Sequence, residues 1–130
     1  MKILIVDDSR FLRMTNERAL AKAGYEVTGA GDGLEAVKFA REKMPDLIVL
    51  DMMLPKMSGP EVIKELRKDP ATASIPIMVL TSLSQANEVK LKQEGATEYF
   101  EKSGLNLDKG PEKLLAAVHR ILPKAKAAAQ

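Results

Sequence analysis

Five short apolar runs, rich in β-branched residues, punctuate the chain: Lys2 to Val6, Glu26 to Ala30, Leu47 to Leu50, Ile77 to Leu80 and Glu98 to Phe100. Between and after them, apolar positions recur at helical spacing, which predicts helices over 9–23, 34–42, 60–68, 85–94 and 111–122. Gly24 and Gly95 stand where helices should stop, and Pro60 and Pro111 where helices can start. The last helix carries an apolar stripe at Leu114, Leu115, Val118, Ile121 and Leu122, so its packing role is clear. The fourth has only Ala86, Val89 and Leu91 among polar neighbours, which predicts shallow burial and movement. Regular alternation of strand and helix predicts an α/β fold: a doubly wound (βα)5 unit with a five-stranded parallel sheet and helices on both faces. The expected unit spans residues 1–123, and 124–130 form a tail of Ala and Lys that prolongs the last helix or frays.

Composition narrows the field. A chain of 130 residues, 45% hydrophobic and 29% charged, suits one domain with room for no second catalytic or DNA-binding unit. Its formal net charge is only +2, with acids and bases interleaved and aromatics at 4%, so no nucleic-acid partner is expected. The absence of cysteine removes disulfides, thiolate metal sites and Cys nucleophiles. The opening run Ile3 to Val6 is too short for a signal peptide or a membrane span, so the expectation is a cytoplasmic protein with no membrane partner.

Crossovers in such a fold are right-handed, and every parallel strand ends on the same edge, where ligands bind. Strand-end residues therefore become neighbours: Asp7 and Asp8 after the first strand, Asp51 after the third, Thr81 and Ser82 after the fourth, Lys102 after the fifth. Crowded carboxylates repel one another, and a divalent cation relieves the repulsion, with hard oxygen donors favouring Mg2+. Because Mg2+ usually keeps waters and binds phosphate oxygens beside one or two carboxylates, the cluster points to phosphate chemistry, with Lys102 and Thr81 adding a positive charge and a hydroxyl donor. A carboxylate can itself attack phosphorus, and Asp51, on the central strand of the expected order, is the natural nucleophile.

The ordered set Ile5-Val6-Asp7-Asp8-Ser9, Asp51 through Pro55 to Gly59, Thr81-Ser82 and Lys102 resembles the receiver domain of two-component response regulators, over nearly the whole chain. Ala30-Gly31-Asp32-Gly33-Leu34-Glu35-Ala36 and Tyr99 agree with it. The resemblance implies a flavodoxin-like strand order 2-1-3-4-5 and a protein that is not an enzyme beyond its own phosphorylation and slow dephosphorylation. It implies that Asp51 takes a phosphoryl group from a sensor histidine kinase or histidine phosphotransfer protein. Mg2+ would be held by Asp8, Asp51 and the backbone carbonyl of Met53, with Asp7 acting through a water. Thr81, Ser82 and Lys102 would bind the phosphoryl group, Lys102 sharing the catalytic role with Asp51. Thr81 and Tyr99 would then switch the surface of the fourth helix, fifth strand and fifth helix toward a downstream protein, in a monomer or a phosphorylation-dependent dimer.

The chain departs from the family in two respects. Ser103 stands where proline usually follows the lysine, often across a cis bond; a cis bond to a non-proline residue costs about 2.5 to 4 kcal/mol, so here the bond is trans or the fold tolerates strain. Met53 and Leu83, expected to flank the phosphoryl group, are apolar and cannot position a hydrolytic water, which implies slow spontaneous dephosphorylation.

Each residue alone has an ordinary reading: Asp8 or Ser9 as a helix cap, Asp51 and Thr81 as turn formers, Lys102 as a solvated lysine. Gly31, Gly33 and Ala36 loosely match a dinucleotide fingerprint but follow the second strand, which favours a turn. His119 is expected on the surface, and Met52, Met53 and Met57 as gap fillers. A phosphatase of the haloacid-dehalogenase type would need an Asp-x-Asp nucleophile after the first strand and a cap domain. A flavin carrier would need a phosphate loop where Asp7 and Asp8 stand, and a pseudo-receiver would lack the reacting set.

Overall fold

The structure, a computed structural model, describes residues 1–51, 56–81, 98–101, 115–116 and 118–121. The elements are β1 (Lys2–Val6), α1 (Arg10–Lys22), β2 (Glu26–Ala30), α2 (Gly33–Lys43), β3 (Leu47–Asp51), α3 (Gly59–Lys68), β4 (Ile77–Thr81) and β5 (Glu98–Glu101). Residues 115–116 and 118–121 are also helical. The expected helix at 85–94, and the rest of 111–122, lie outside the described residues.

All five strands are parallel in the order β2-β1-β3-β4-β5, as the resemblance implied. β3, β4 and β5 each run one residue beyond the apolar run that predicts them. Asp51 is added because it still pairs with Leu80, and Thr81 because it pairs with Glu101. The polar strand-end residues are thus continuous with the sheet and inherit its rigidity.

Alternate residues of the central strands feed two cores. On one face Leu4, Val6, Ile48, Leu50, Ile77 and Val79 pack with Ala36, Val37 and Ala40 of α2 and Val62, Ile63 and Leu66 of α3. On the other, Ile3, Ile5, Leu47, Val49 and Met78 pack with Leu20 of α1 and with Val118 and Ile121. Helices on both faces explain why β1 and β3 read as unbroken apolar runs. Each large side chain so buried contributes roughly 1.5–3 kcal/mol against the chain entropy lost on folding.

The connections are set locally. Ser9 caps α1, its hydroxyl accepting the Leu12 N–H at 3.3 Å. The helix ends as Gly24 turns left-handed at φ 102° and Tyr25 N–H reaches back to the Leu20 carbonyl at 3.2 Å. Asp32 caps α2 by accepting the Glu35 N–H at 2.8 Å. Pro60 lies in the first turn of α3, where Glu61 accepts the Ser58 N–H at 3.2 Å. Beyond α3, Arg67 donates to the carbonyls of Ala73 and Ile75 at 2.9 and 2.7 Å and stiffens the turn into β4. Partial burial of that guanidinium lowers its pKa from the ordinary arginine value. Among the described residues, no helix is long and apolar enough to cross a membrane.

Candidate functional site

Val6, the last residue of β1, pairs with Ala30 of β2 on one side and Leu50 of β3 on the other. One step further along the same edge stand Asp7 and Asp51, with Asp8 following. Their carboxylates offer oxygen atoms that all lie within 4.8 Å of one another. Asp7 and Asp51 are buried, each 5% exposed, whereas Asp8 is exposed. Two acids are therefore set into the sheet edge, and the third meets solvent beside them.

Asp7 is fixed from three sides. Its N–H donates to the Ala30 carbonyl at 3.1 Å, continuing the β1–β2 ladder one residue past the strand. Its Oδ1 accepts the Ser9 N–H at 2.9 Å, a tight turn that orients the carboxylate and leads into the α1 cap. Its carbonyl accepts a hydrogen bond from Arg13 Nη1 at 2.7 Å. The ordinary cap reading therefore belongs to Ser9, while Asp8 is left to face the cluster.

The donor set fits a hard divalent cation. All three groups are carboxylate oxygens, with no imidazole or thiolate among them, and two are already desolvated. Like charges this close are costly unless a cation or a donor compensates them, and Mg2+ suits such oxygens.

Thr81, expected just after the fourth strand, is the last residue of β4, in register with Glu101, and Tyr99 is paired with Val79 on β5, the strand the sequence assigns it to. Met53, Ser82, Leu83, Lys102 and Ser103 lie outside the described residues.

Two charged residues near the edge escaped the sequence reading. Lys56 Nζ lies 3.5 Å from Asp32 Oδ2, tying the approach to α3 to the α2 cap. The backbone N–H of Glu35, ahead of the Lys56 ammonium, holds the Asp32 carboxyl below the usual carboxylate range despite its burial. Gly33 packs against the main chain of Met57, where a side chain would clash. The glycine run is therefore a helix cap and a close approach, as a turn reading expects, with the Asp32 carboxylate standing at the helix start. Arg13 is the other omission. Its sequence signal, an arginine one turn into α1, looks like any solvated helix residue.

His119 is exposed, and its Nδ1 lies 2.6 Å from the Tyr25 hydroxyl. Tyr25 precedes β2, so this pair sits on the edge opposite the acids, and partial burial pushes the Tyr25 phenol pKa up. Met57 packs against the α2–α3 core, as a gap filler should.

Residues 3–118 match the family described as the response regulator receiver domain. The alkaline phosphatase synthesis transcriptional regulatory protein PhoP of Bacillus subtilis is 40% identical over 129 residues, 98% of this chain and 51% of that protein. The DNA-binding dual master transcriptional regulator RpaA of Synechocystis is 38% identical over 122 residues, 93% of this chain and 48% of that protein. Among solved structures, the chemotaxis response regulator CheY4 of Vibrio cholerae superposes with a TM-score of 0.83 at 35% identity, covering 93% of this chain and 98% of that one. The BeF3-activated N-terminal receiver domain of RstA from Klebsiella pneumoniae gives a TM-score of 0.82 at 30% identity, covering 94% and 98%.

These relatives correct one expectation. The exclusion of a nucleic-acid partner does not stand, because several similar proteins are transcriptional regulators and one is named as DNA-binding. The chain spans about half the length of the curated relatives it matches. Interleaved charge on a receiver surface reports on that surface alone and cannot speak for a protein twice as long.

Proposed function

The chain belongs to the response regulator receiver family, a family of signalling modules rather than metabolic enzymes, and from that premise we propose that it is a phosphorylation switch whose acceptor is Asp51. The observation that carries this reading is the convergence of Asp7, Asp8 and Asp51 within 4.8 Å at one sheet edge.

In the proposed reaction an Asp51 carboxylate oxygen attacks the phosphorus of a phosphohistidine on a sensor kinase or phosphotransfer protein. The new O–P bond forms as the donor's P–N bond breaks; the electron pair stays on the imidazole nitrogen, which takes up a proton. Asp8, Asp51 and the Met53 carbonyl would hold Mg2+, with Asp7 acting through a water. When bound, Mg2+ neutralises charge on the phosphoryl oxygens. Thr81, Ser82 and Lys102 would receive those oxygens, and Lys102 would share the catalytic role by offsetting their charge. Burial of Asp51 supports the reading, because a rigid, partly desolvated nucleophile strengthens each electrostatic contact to the transferring group.

The switch runs through Thr81 and Tyr99 to the surface of the fourth helix, β5 and the last helix. The added charge draws Thr81 toward it, and Tyr99 fills the space left. The signal then passes by protein contact, or to an output of the transcriptional kind that the relatives' names describe. A unit of residues 1–123 with a 124–130 tail, and a cytoplasmic location, belong to the same reading.

Incubation with acetyl phosphate and Mg2+ tests it. Incorporation should stop at one phosphoryl group per chain and persist for lack of a polar residue at Met53 and Leu83. Repeated turnover of an aryl phosphate would instead make the protein a phosphatase.

A further inference from the structure

Arg13 lies in the first turns of α1, and its Nη1 donates a charge-assisted hydrogen bond to the Asp7 carbonyl at 2.7 Å. On the way the side chain passes the end of β2, close to Gly29 and to Gly31, which follows the strand's last residue, Ala30. Both glycines border the Arg13 side chain, and the lack of a side chain at either leaves it room. A methyl group on Gly29 would collide with the Glu17 carboxylate and stand 3.1 Å from Arg13 Cδ. One on Gly31 would stand 3.2 Å from Arg13 Nη1. Neither glycine has a positive φ, as Gly24 does, so backbone freedom does not explain them. Space for side chains of α1 does: Glu17 first and then Arg13 at Gly29, and Arg13 at Gly31. Glu17 Oε1 lies 3.9 Å from Arg13 Nε.

We infer that Arg13 is a positioning residue for the acceptor site: seated over Gly29 and Gly31, it fixes the Asp7 carbonyl and thereby the direction in which Asp8 presents its carboxylate to Asp51. The Asp7 carbonyl and the Asp8 nitrogen share one planar peptide, so holding the oxygen sets the plane from which Asp8 departs. Past Val6 the sheet supplies a partner for the Asp7 N–H through Ala30, and Arg13 supplies one for its carbonyl. A guanidinium suits the task because its donors are fixed in a plane and it is weakly hydrated.

The inference rests on the reading of Asp8 and Asp51 as the groups that hold Mg2+, and the test separates the two. Mg2+ alone is titrated, by amide chemical shifts, into folded wild type, Arg13→Met, Gly31→Val, the Arg13→Met/Gly31→Val double variant and Asp8→Asn. Gly31→Val keeps the charge of Arg13 but fills its seat, and it decides the question should Arg13→Met fail to fold. Each single variant should weaken Mg2+ binding about tenfold, the loss expected when a group that orients a metal ligand is removed. The double variant should be no weaker than either single, since both remove one interaction. Additive losses, or a Gly31→Val protein that binds Mg2+ as wild type does while Asp8→Asn does not bind it, overturn the role of Arg13 and leave the site reading intact. Binding undiminished in Asp8→Asn overturns the site reading itself.

Discussion

Lys56 Nζ stands 3.5 Å from Oδ2 of Asp32, so a residue just ahead of α3 is tied to the one that caps α2. The two partners are unequal. The Lys56 side chain is 64% exposed and that of Asp32 only 11%, so water screens the ion pair while the cap hydrogen bond is sheltered. Lys56 also holds a left-handed backbone, with φ 67°.

Asp32→Ala should cost about 1–2 kcal/mol through loss of the cap, and Asp32→Asn less, because an amide oxygen can still accept the Glu35 N–H. Lys56→Ala should cost under about 1 kcal/mol. Urea unfolding of the three variants checks the ranking. A larger loss for Lys56→Ala than for Asp32→Ala would show that the ion pair outweighs the cap.

The same residue fixes a pH dependence. The Asp32 carboxyl is held below its ordinary pKa in the folded chain, first by the Glu35 N–H and then by Lys56. Its charged form therefore stabilises the fold above the unfolded pKa, near 4, and that contribution is lost as pH falls through the lower folded value. The advantage of wild type over Asp32→Asn should be full at neutral pH and shrink below about pH 4. Paired unfolding curves across that range measure it; an advantage that grew with acid would have the wrong sign.

Thr72 is fully buried, and its hydroxyl donates to the Leu66 carbonyl at 2.7 Å, near the end of α3. Thr72→Val keeps the shape but removes the donor, and should cost about 1–3 kcal/mol with no change in Mg2+ affinity. Chemical denaturation read beside an Mg2+ titration separates the two effects.

Mg2+ should raise stability by linkage, since only the folded chain gathers the three carboxylates. At a hundredfold excess over its Kd the gain should be about 2.7 kcal/mol for wild type, and it should be absent from Asp8→Asn. Thermal unfolding with and without Mg2+ makes the comparison. Equal gains in both proteins would mean that the ion acts elsewhere.

Much of this was legible in the sequence, and the reason differs by element. Leu47-Ile48-Val49-Leu50 reads as a strand because both faces of a parallel sheet are covered, and parallel topology then forces Asp7, Asp8 and Asp51 to one edge despite their separation in the chain. The side chains that brace the edge were not legible. Arg13 binds a main-chain carbonyl over two glycines, and Lys56 binds a cap residue from another loop. Both look like solvated charges until the tertiary fold supplies the partner. Gly29 and Gly31, in and just after the second apolar run, were the faint clue, since a glycine in a strand can mark a close approach. The nucleic-acid expectation failed for another reason: patterning on one domain carries no information about a longer relative's output.

The most direct test of Asp51 as acceptor uses borohydride, which reduces an aspartyl phosphate to homoserine and marks the residue that carried it. After treatment with acetyl phosphate and Mg2+, peptide mass spectrometry should find homoserine at position 51 and nowhere else, and none when Mg2+ is omitted. Homoserine at position 7 or 8 instead, or an unmodified Asp51 in protein that has taken up phosphoryl groups, would contradict the proposed chemistry.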